Sequence, residues 1–262
     1  MPDTLLSVRQ LTKRYGTVDA VTDLTFDVAP GEVYGLLGPN GAGKSTTLNS
    51  IVGLTIPSEG TILLGEADAA TPEGKGMLGF VPDELRLPGT LTGREYILFV
   101  ERVYGINEPA RATALVSMMG LKDVLDRLIR EYSHGMHKKL QFVGALLHDP
   151  SVLVLDEPFG GLDPEAMHVV RRIIEMRRGQ ARATLIATHD LPFATRICDR
   201  VGIIARGRLV AEGTVAAVLA AHGSTDLEDV YFKASGLGGR IDSVDGLLDA
   251  AFPESATTTT GR

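Results

Sequence analysis

The run Gly38-Pro39-Asn40-Gly41-Ala42-Gly43-Lys44-Ser45-Thr46 joins spaced glycines to a lysine and two hydroxyls, a pattern suited to gripping a polyphosphate. Glycines let the backbone turn tightly enough for successive N–H groups to face one anion. A helix starting here adds unpaired donors and the favourable end of its dipole. The motif predicts that Lys44 reaches the β- and γ-phosphates and that the Ser45 hydroxyl holds Mg²⁺. A strand-to-helix turn without ligand is the alternative, but turn geometry alone demands neither the lysine nor the hydroxyl after it.

Two further groups suit the same chemistry. Val152-Leu153-Val154-Leu155-Asp156-Glu157 ends an apolar run with adjacent carboxylates. Ligands of open α/β sheets sit beyond the carboxyl ends of the strands. Asp156 is therefore expected to hold Mg²⁺ opposite Ser45, directly or through water. Glu157, next along the chain and pointing differently, is expected to polarise an attacking water. The competing reading is a solvated strand end with two incidental acids. His189, in Ala187-Thr188-His189-Asp190, ends another apolar run, where an imidazole can contact a γ-phosphate. A structural histidine is the alternative there.

These groups need elements to position them. Val33 to Leu37 reads as a buried strand feeding the glycine-rich loop, and Thr46 to Val52 as the start of a helix. Leu5 to Val8, Leu24 to Val28 and Glu59 to Gly65 suit an antiparallel layer beside that strand. After Pro88 the texture becomes helical. Thr92-Gly93-Arg94-Glu95 has capping-box spacing, and Tyr96, Phe99, Val100, Val103 and Tyr104 come after it at helical period. Ala112, Leu115, Val116 and Met119 extend that pattern, as do Val124, Leu125, Leu128 and Ile129. Parallel-sheet strands return at Ser151 to Leu155, Ala183 to Thr188 and Val201 to Ala205, with helices from Pro164 and around Phe193 to Cys198. A hairpin is expected through Arg206-Gly207-Arg208. The segment from Pro253 to Arg262, with four consecutive threonines, is expected to lack order.

The bulk composition narrows the function. With 262 residues, 44% hydrophobic and 23% charged, the chain has ordinary globular character and room for one large domain or two small ones. A formal net charge of −7 argues against nucleic acid or an anionic membrane surface as partner. The one cysteine, Cys198, excludes an internal disulfide framework and a thiolate-built zinc site. No apolar run is long enough to span a bilayer, and Met1 to Arg14 has no signal pattern, so a cytosolic location is expected.

Taken in order, these pieces resemble the ATP-binding cassette of ABC transporters, over roughly Leu5 to Gly223. The resemblance implies an α/β fold: a P-loop NTPase (RecA-like) parallel sheet with an N-terminal antiparallel β layer and an inserted α-helical subdomain. It implies an ATPase domain over 1–223, with core 1–87 and 149–223, helical subdomain 88–148, and a C-terminal extension 224–262. Tyr15, in Lys13-Arg14-Tyr15-Gly16, sits where the family stacks an aromatic on adenine; a core tyrosine is the alternative. Tyr132-Ser133-His134-Gly135-Met136 takes the place of the signature L-S-G-G-Q. Ser133 and Gly135, expected to touch the γ-phosphate of ATP on the other subunit, are kept. His134 and Met136 depart from it, as in cassettes of the ABC-2 exporter type. His134 and His137 read as two exposed helix residues, not as a metal pair. Phe159-Gly160-Gly161-Leu162-Asp163 takes the place of the D-loop, where Asp163 would help set dimer geometry. Leu78-Gly79-Phe80-Val81-Pro82-Asp83 takes that of the Q-loop, with Asp83 standing for the usual glutamine. Aspartate can still bind Mg²⁺ through water, but it lacks the amide donors.

The resemblance therefore implies an ATP- and Mg²⁺-dependent ATPase working as a head-to-tail homodimer, or as a heterodimer with a second cassette. Its stroke would pass to a separate integral membrane permease docked near Asp83 to Arg94, and the chain would be peripheral on the inner face of the membrane. ABC-2 likeness, supported by Asp226 to Phe232, implies export. Translation-type cassettes pair two units in one chain, and repair-type ones need long heptad arms or zinc cysteines; this chain has neither feature. A regulatory ATP-binding module is a third reading, opposed by Glu157. A dimerisation helix over Ile241 to Phe252 is left open.

Overall fold

Strand alternation explains the architecture. In the computed structural model, which describes residues 4–84, 87–236 and Ala251, the chain opens with β1 (Leu6–Tyr15), β2 (Val18–Val28) and β3 (Val33–Leu37). Then come α1 (Lys44–Ile51), β4 (Glu59–Leu64), β5 (Ala67–Asp68), α2 (Pro72–Gly76) and β6 (Leu78–Val81). Helices α3 (Gly93–Tyr104), α4 (Pro109–Met118) and α5 (His134–Leu146) separate β6 from β7 (Val152–Asp156). The remainder is α6 (Pro164–Gly179), β8 (Ala183–Thr188), α7 (Leu191–Ile197), β9 (Arg200–Ala205), β10 (Arg208–Thr214), α8 (Val215–Ala221) and α9 (Leu227–Ser235).

Two sheets result. One is four-stranded and antiparallel, in the order β2-β1-β4-β5. The other runs β10-β9-β3-β8-β7-β6, parallel except for the antiparallel edge strand β10. β3 shows why its run is wholly apolar. Tyr34 and Leu36 face a core shared with the antiparallel sheet and α1, while Val33 and Leu37 face a second core shared with α3 to α9. Both faces are covered, so both must be apolar.

The register aligns the carboxyl ends of the parallel strands. Leu37 pairs with Thr188, Asp156 with Ala187, and Val81 with Leu155. The residues just past these strand ends (the glycine-rich loop, His189, Glu157 and Pro82-Asp83) are thereby delivered to one edge.

The capping box at α3 is complete: Glu95 N–H donates to Thr92 Oγ1 at 3.2 Å, and Thr92 N–H donates to Glu95 Oε2 at 2.8 Å. One helical expectation is corrected. Val124, Leu125, Leu128 and Ile129 form no α-helix: Val124 ends one short 3₁₀ turn, Lys122–Val124, Ile129 begins another, Ile129–Glu131, and Leu125 and Leu128 lie between them. Here the backbone pairs with the entry to α3, where Ile129 N–H donates to Leu91 O, instead of with its own preceding turn. Helix α5 starts at His134, with Ser133 as its cap. The regular apolar spacing on α3 also leaves Phe99 and Val103 exposed, while Ile97 and Val100 are buried. Residues 253–262, and 241–252 apart from Ala251, lie outside the described residues.

Candidate nucleotide-binding site

The glycine-rich loop joins the buried β3 to α1, and two of its glycines are required by crowding. A Cβ on Gly38 would lie 2.5 Å from Ile204 O; one on Gly43 would lie 2.7 Å from Ala20 O, at a φ of +111°. The hairpin after β9 holds the loop down, since Gly207 N–H donates to Ala42 O at 2.8 Å. Asn40 and Gly41 stay exposed at the tip. Thr46 sits in the first turn of α1, half-buried, beside the exposed Ser45. Lys44 Nζ folds back over the loop and donates to Gly38 O at 2.6 Å. Burial pushes its pKa down, while Glu157 and Asp156 hold it up. An ammonium that bonds only carbonyls in its own loop is free to exchange them for phosphate oxygens.

Across the edge, Ser45 Oγ donates to Asp156 Oδ2 at 3.4 Å. Asp156 is buried, and desolvation, then Asp83, then Glu157, push its pKa above the usual carboxylate range. A carboxylate raised by burial and like charges, facing a hydroxyl, is a hard-oxygen donor pair that a divalent cation would relieve, so the residues fit Mg²⁺. Among the described residues no three His, Cys, Asp or Glu side chains cluster to hold a metal by themselves. Mg²⁺ takes one or two carboxylates and leaves the other positions to phosphate and water.

Glu157 diverges from Asp156 because its backbone turns into the left-handed region, at φ +42°. Such a conformation costs a non-glycine about 1–2 kcal/mol. It is held by Glu157 N–H donating to Ala187 O at 2.9 Å. The carboxylate then crosses to the end of β8. Thr188 Oγ1 donates to Oε2 at 2.9 Å and His189 N–H to Oε1 at 3.0 Å; His189 Nδ1 lies 2.6 Å from the same Oε1. Glu157 and His189, read separately from sequence, are thus in direct contact.

The other expected residues lie in three places. Tyr15, 49% exposed at the end of β1 with Lys13 Nζ 4.9 Å from its ring centre, is no core tyrosine. Asp83 lies just past β6, exposed, with Oδ1 4.0 Å from Lys138 Nζ. Ser133 caps α5, accepting from Met136 N–H at 3.2 Å, and its tip faces solvent. There α5 meets the segment after β7: Gly135 and His134 both press on Gly161, and Asp163 Oδ2 accepts from Lys139 Nζ at 2.6 Å. Asp163 also caps α6 through Ala166 N–H. The phosphate loop, Asp156, Glu157, His189 and Asp83 share the sheet edge. Among the described residues, Ser133 and Gly135 have no nucleotide-loop partner in hydrogen-bonding contact.

Sequence reasoning missed Lys138 and Lys139. A lysine pair behind a serine–glycine helix tip reads as solvated. The signal available was helical phase: Lys138 lies four residues before the buried Phe142, on the inward face. Cys198 behaves as a core residue, its thiol pushed up to about 12 by burial.

This geometry has close relatives. A profile described as ABC transporter matches residues 21–160. A protein described as "Nod factor export ATP-binding protein I" from Burkholderia lata is 39% identical over 237 residues, covering 88% of this chain and 78% of that protein. One of the same description from Sinorhizobium fredii is 34% identical over 234 residues, covering 87% and 68%. A solved structure of an ATP-binding subunit of an ABC transporter superposes with a TM-score of 0.85 at 33% identity, covering 88% of this chain and all of that one. A nucleotide-free cassette, with a TM-score of 0.73 at 21% identity, shares the fold. A family match over residues 21–160, relatives of 34–39% identity and a shared fold together show that the chain belongs to the ABC transporter family as an ATP-binding cassette, an ATPase.

Proposed function

We propose that this cassette hydrolyses ATP within a head-to-tail pair of chains and so drives an exporter whose permease is a separate membrane protein. The observation carrying the reading is the division of the expected nucleotide contacts: Lys44, Ser45, Asp156, Glu157 and His189 converge on one sheet edge, while Ser133 stands exposed on the tip of α5 with the half-buried Gly135 just behind it. Each surface lacks what the other offers. A second copy, or a second cassette in a heterodimer, supplies it.

In this reading the loop N–H groups and Lys44 bind the β- and γ-phosphates, and Tyr15 stacks on the base. Ser45 and Asp156 would hold Mg²⁺, with Asp83 as a further, water-mediated ligand; bound there, the ion would neutralise charge on the phosphates. Glu157 takes the proton from the attacking water as the new O–P bond forms at the γ-phosphorus and the bond to the bridging β–γ oxygen breaks. Thr188 and His189 orient that carboxylate. Ser133 and Gly135 of the partner subunit close over the γ-phosphate, and Asp163 steadies the tip that presents them.

A docking surface for the permease is supported by an apolar groove of about 450 Å³ between α1, β6 and α3, lined by Val52, Leu54, Phe80, Tyr96, Val100 and Tyr104. Pro82 and Glu84 also line it, at the start of the Asp83 to Arg94 stretch. Leu54 and Ile56 beside it are 70% and 83% exposed. No helix among the described residues is long and apolar enough to cross a membrane. Export is favoured because the relatives named above are described as export proteins. The test is co-purification with the candidate permease, and then ATPase assays in vesicles. Turnover that rises with substrate, and ATP-dependent efflux, are expected; uptake in place of efflux would overturn the exporter assignment.

A further inference from the structure

Lys138 lies in the second turn of α5 with its side chain only 1% exposed. A buried ammonium persists only where hydrogen bonds and opposite charge replace water. Its Nζ donates to Pro82 O at 2.8 Å, Asp156 O at 3.3 Å and Asp83 O at 3.4 Å, and Asp83 Oδ1 stands 4.0 Å away. Three donors meet three carbonyls. Those carbonyls belong to the ends of two strands, β6 and β7, which carry Asp83 and the Asp156–Glu157 pair.

The same helix presents Ser133 at its tip, five residues and about 7.5 Å of helix away. Within so short a helical stretch the tip and the lysine move as one body. Asp83 is the exposed member: its side chain is half exposed, and among the described residues it alone offers Lys138 a carboxylate within 4.0 Å. It also faces the Asp156 carboxylate closely enough to push that group's pKa up.

We propose that Lys138 is a positioning residue that ties the signature tip to the ends of β6 and β7, and that Asp83 and Lys138 form a matched pair setting the tip's orientation. An aspartate at position 83 has no amide donors. The ammonium at 138 provides the positive hydrogen-bonding group beside it. The inference rests on the dimeric ATPase reading for its consequence, but not for the tie itself.

The test compares the full-length chain with Lys138→Gln, Asp83→Asn and the double variant. Lys138→Met, which keeps the stem volume, stands in if the glutamine variant fails to fold. Without nucleotide, hydrogen exchange at the first turns of α5 is expected to quicken about tenfold in Lys138→Gln. In MgATP assays kcat should fall about tenfold while KM stays within about threefold. In the Asp83→Asn background the same lysine change should cost kcat at least about fivefold less, because contacting residues are not additive. Unchanged exchange, an equal kcat loss in both backgrounds, or KM and kcat falling together would overturn the proposal. If wild-type protein exchanges as expected but neither dimerises nor turns over, the function reading fails and the tie survives.

Discussion

The glycine-rich loop and the signature tip are both helix N-termini preceded by tight turns, yet they are built differently. The loop is pinned on all sides: Gly38 against Ile204, Gly43 against Ala20, Ala42 to Gly207, with the lysine folded over its carbonyls. The tip is anchored from behind and by the segment after β7, at Gly161 and Asp163. Phe142 and Val143 sink α5 into the core, while Ser133 and His134 stand in solvent. The loop is finished within one chain and needs only its ligand. A polar tip with a capping serine and bare N–H groups, held rigid but uncovered, is suited to being completed from outside.

That contrast can be broken by mutation. The largest effect is expected from Glu157→Gln, which should lower kcat about 10²–10⁴-fold and leave ATP affinity intact. Normal turnover, measured by phosphate release, would remove Glu157 from the role of base. Lys44→Ala acts on the finished half. It should weaken ATP binding about 10²–10³-fold by calorimetry, the loss of two charge-assisted bonds of about 1.5–2 kcal/mol each. Unchanged affinity would mean that the loop does not cradle phosphate.

Ser133→Arg acts on the unfinished half. Nucleotide affinity of the isolated chain should stay within about threefold while kcat falls about 10–100-fold; a silent variant would show that the tip meets no nucleotide. Gly161→Ala is subtler. Its φ of +74° is left-handed, and a Cβ there would collide with the His134 ring. The tip must shift, so kcat is expected to fall about fivefold with ATP affinity unchanged. A matching loss of affinity would mean that the two halves are not independent. The smallest effect belongs to Thr92→Ala, which removes the α3 cap at about 1 kcal/mol of stability, read by denaturant unfolding, with no change in KM.

Much of this was legible in the residues. The strands could be read because both faces of β3, β7 and β8 are covered, which forces unbroken apolar runs. Motif spacing located the phosphate loop and the strand-edge acids. The features that could not be read were set by contacts distant in sequence. The left-handed turn at Glu157 depends on Ala187, thirty residues on, and on no local signal. The stretch 122–131 has helical apolar spacing, yet its backbone pairs with Leu91. Lys138 and Lys139 look like surface charge until Pro82, Asp156 and Asp163 surround them.

Sedimentation of the Glu157→Gln chain with saturating ATP and Mg²⁺ bears most directly on the composite site. A stable particle of two chains and two nucleotides is expected, dissolving when Ser133→Arg is added. A monomer at every concentration, with nucleotide bound, would contradict the idea that each chain completes its neighbour's reaction centre.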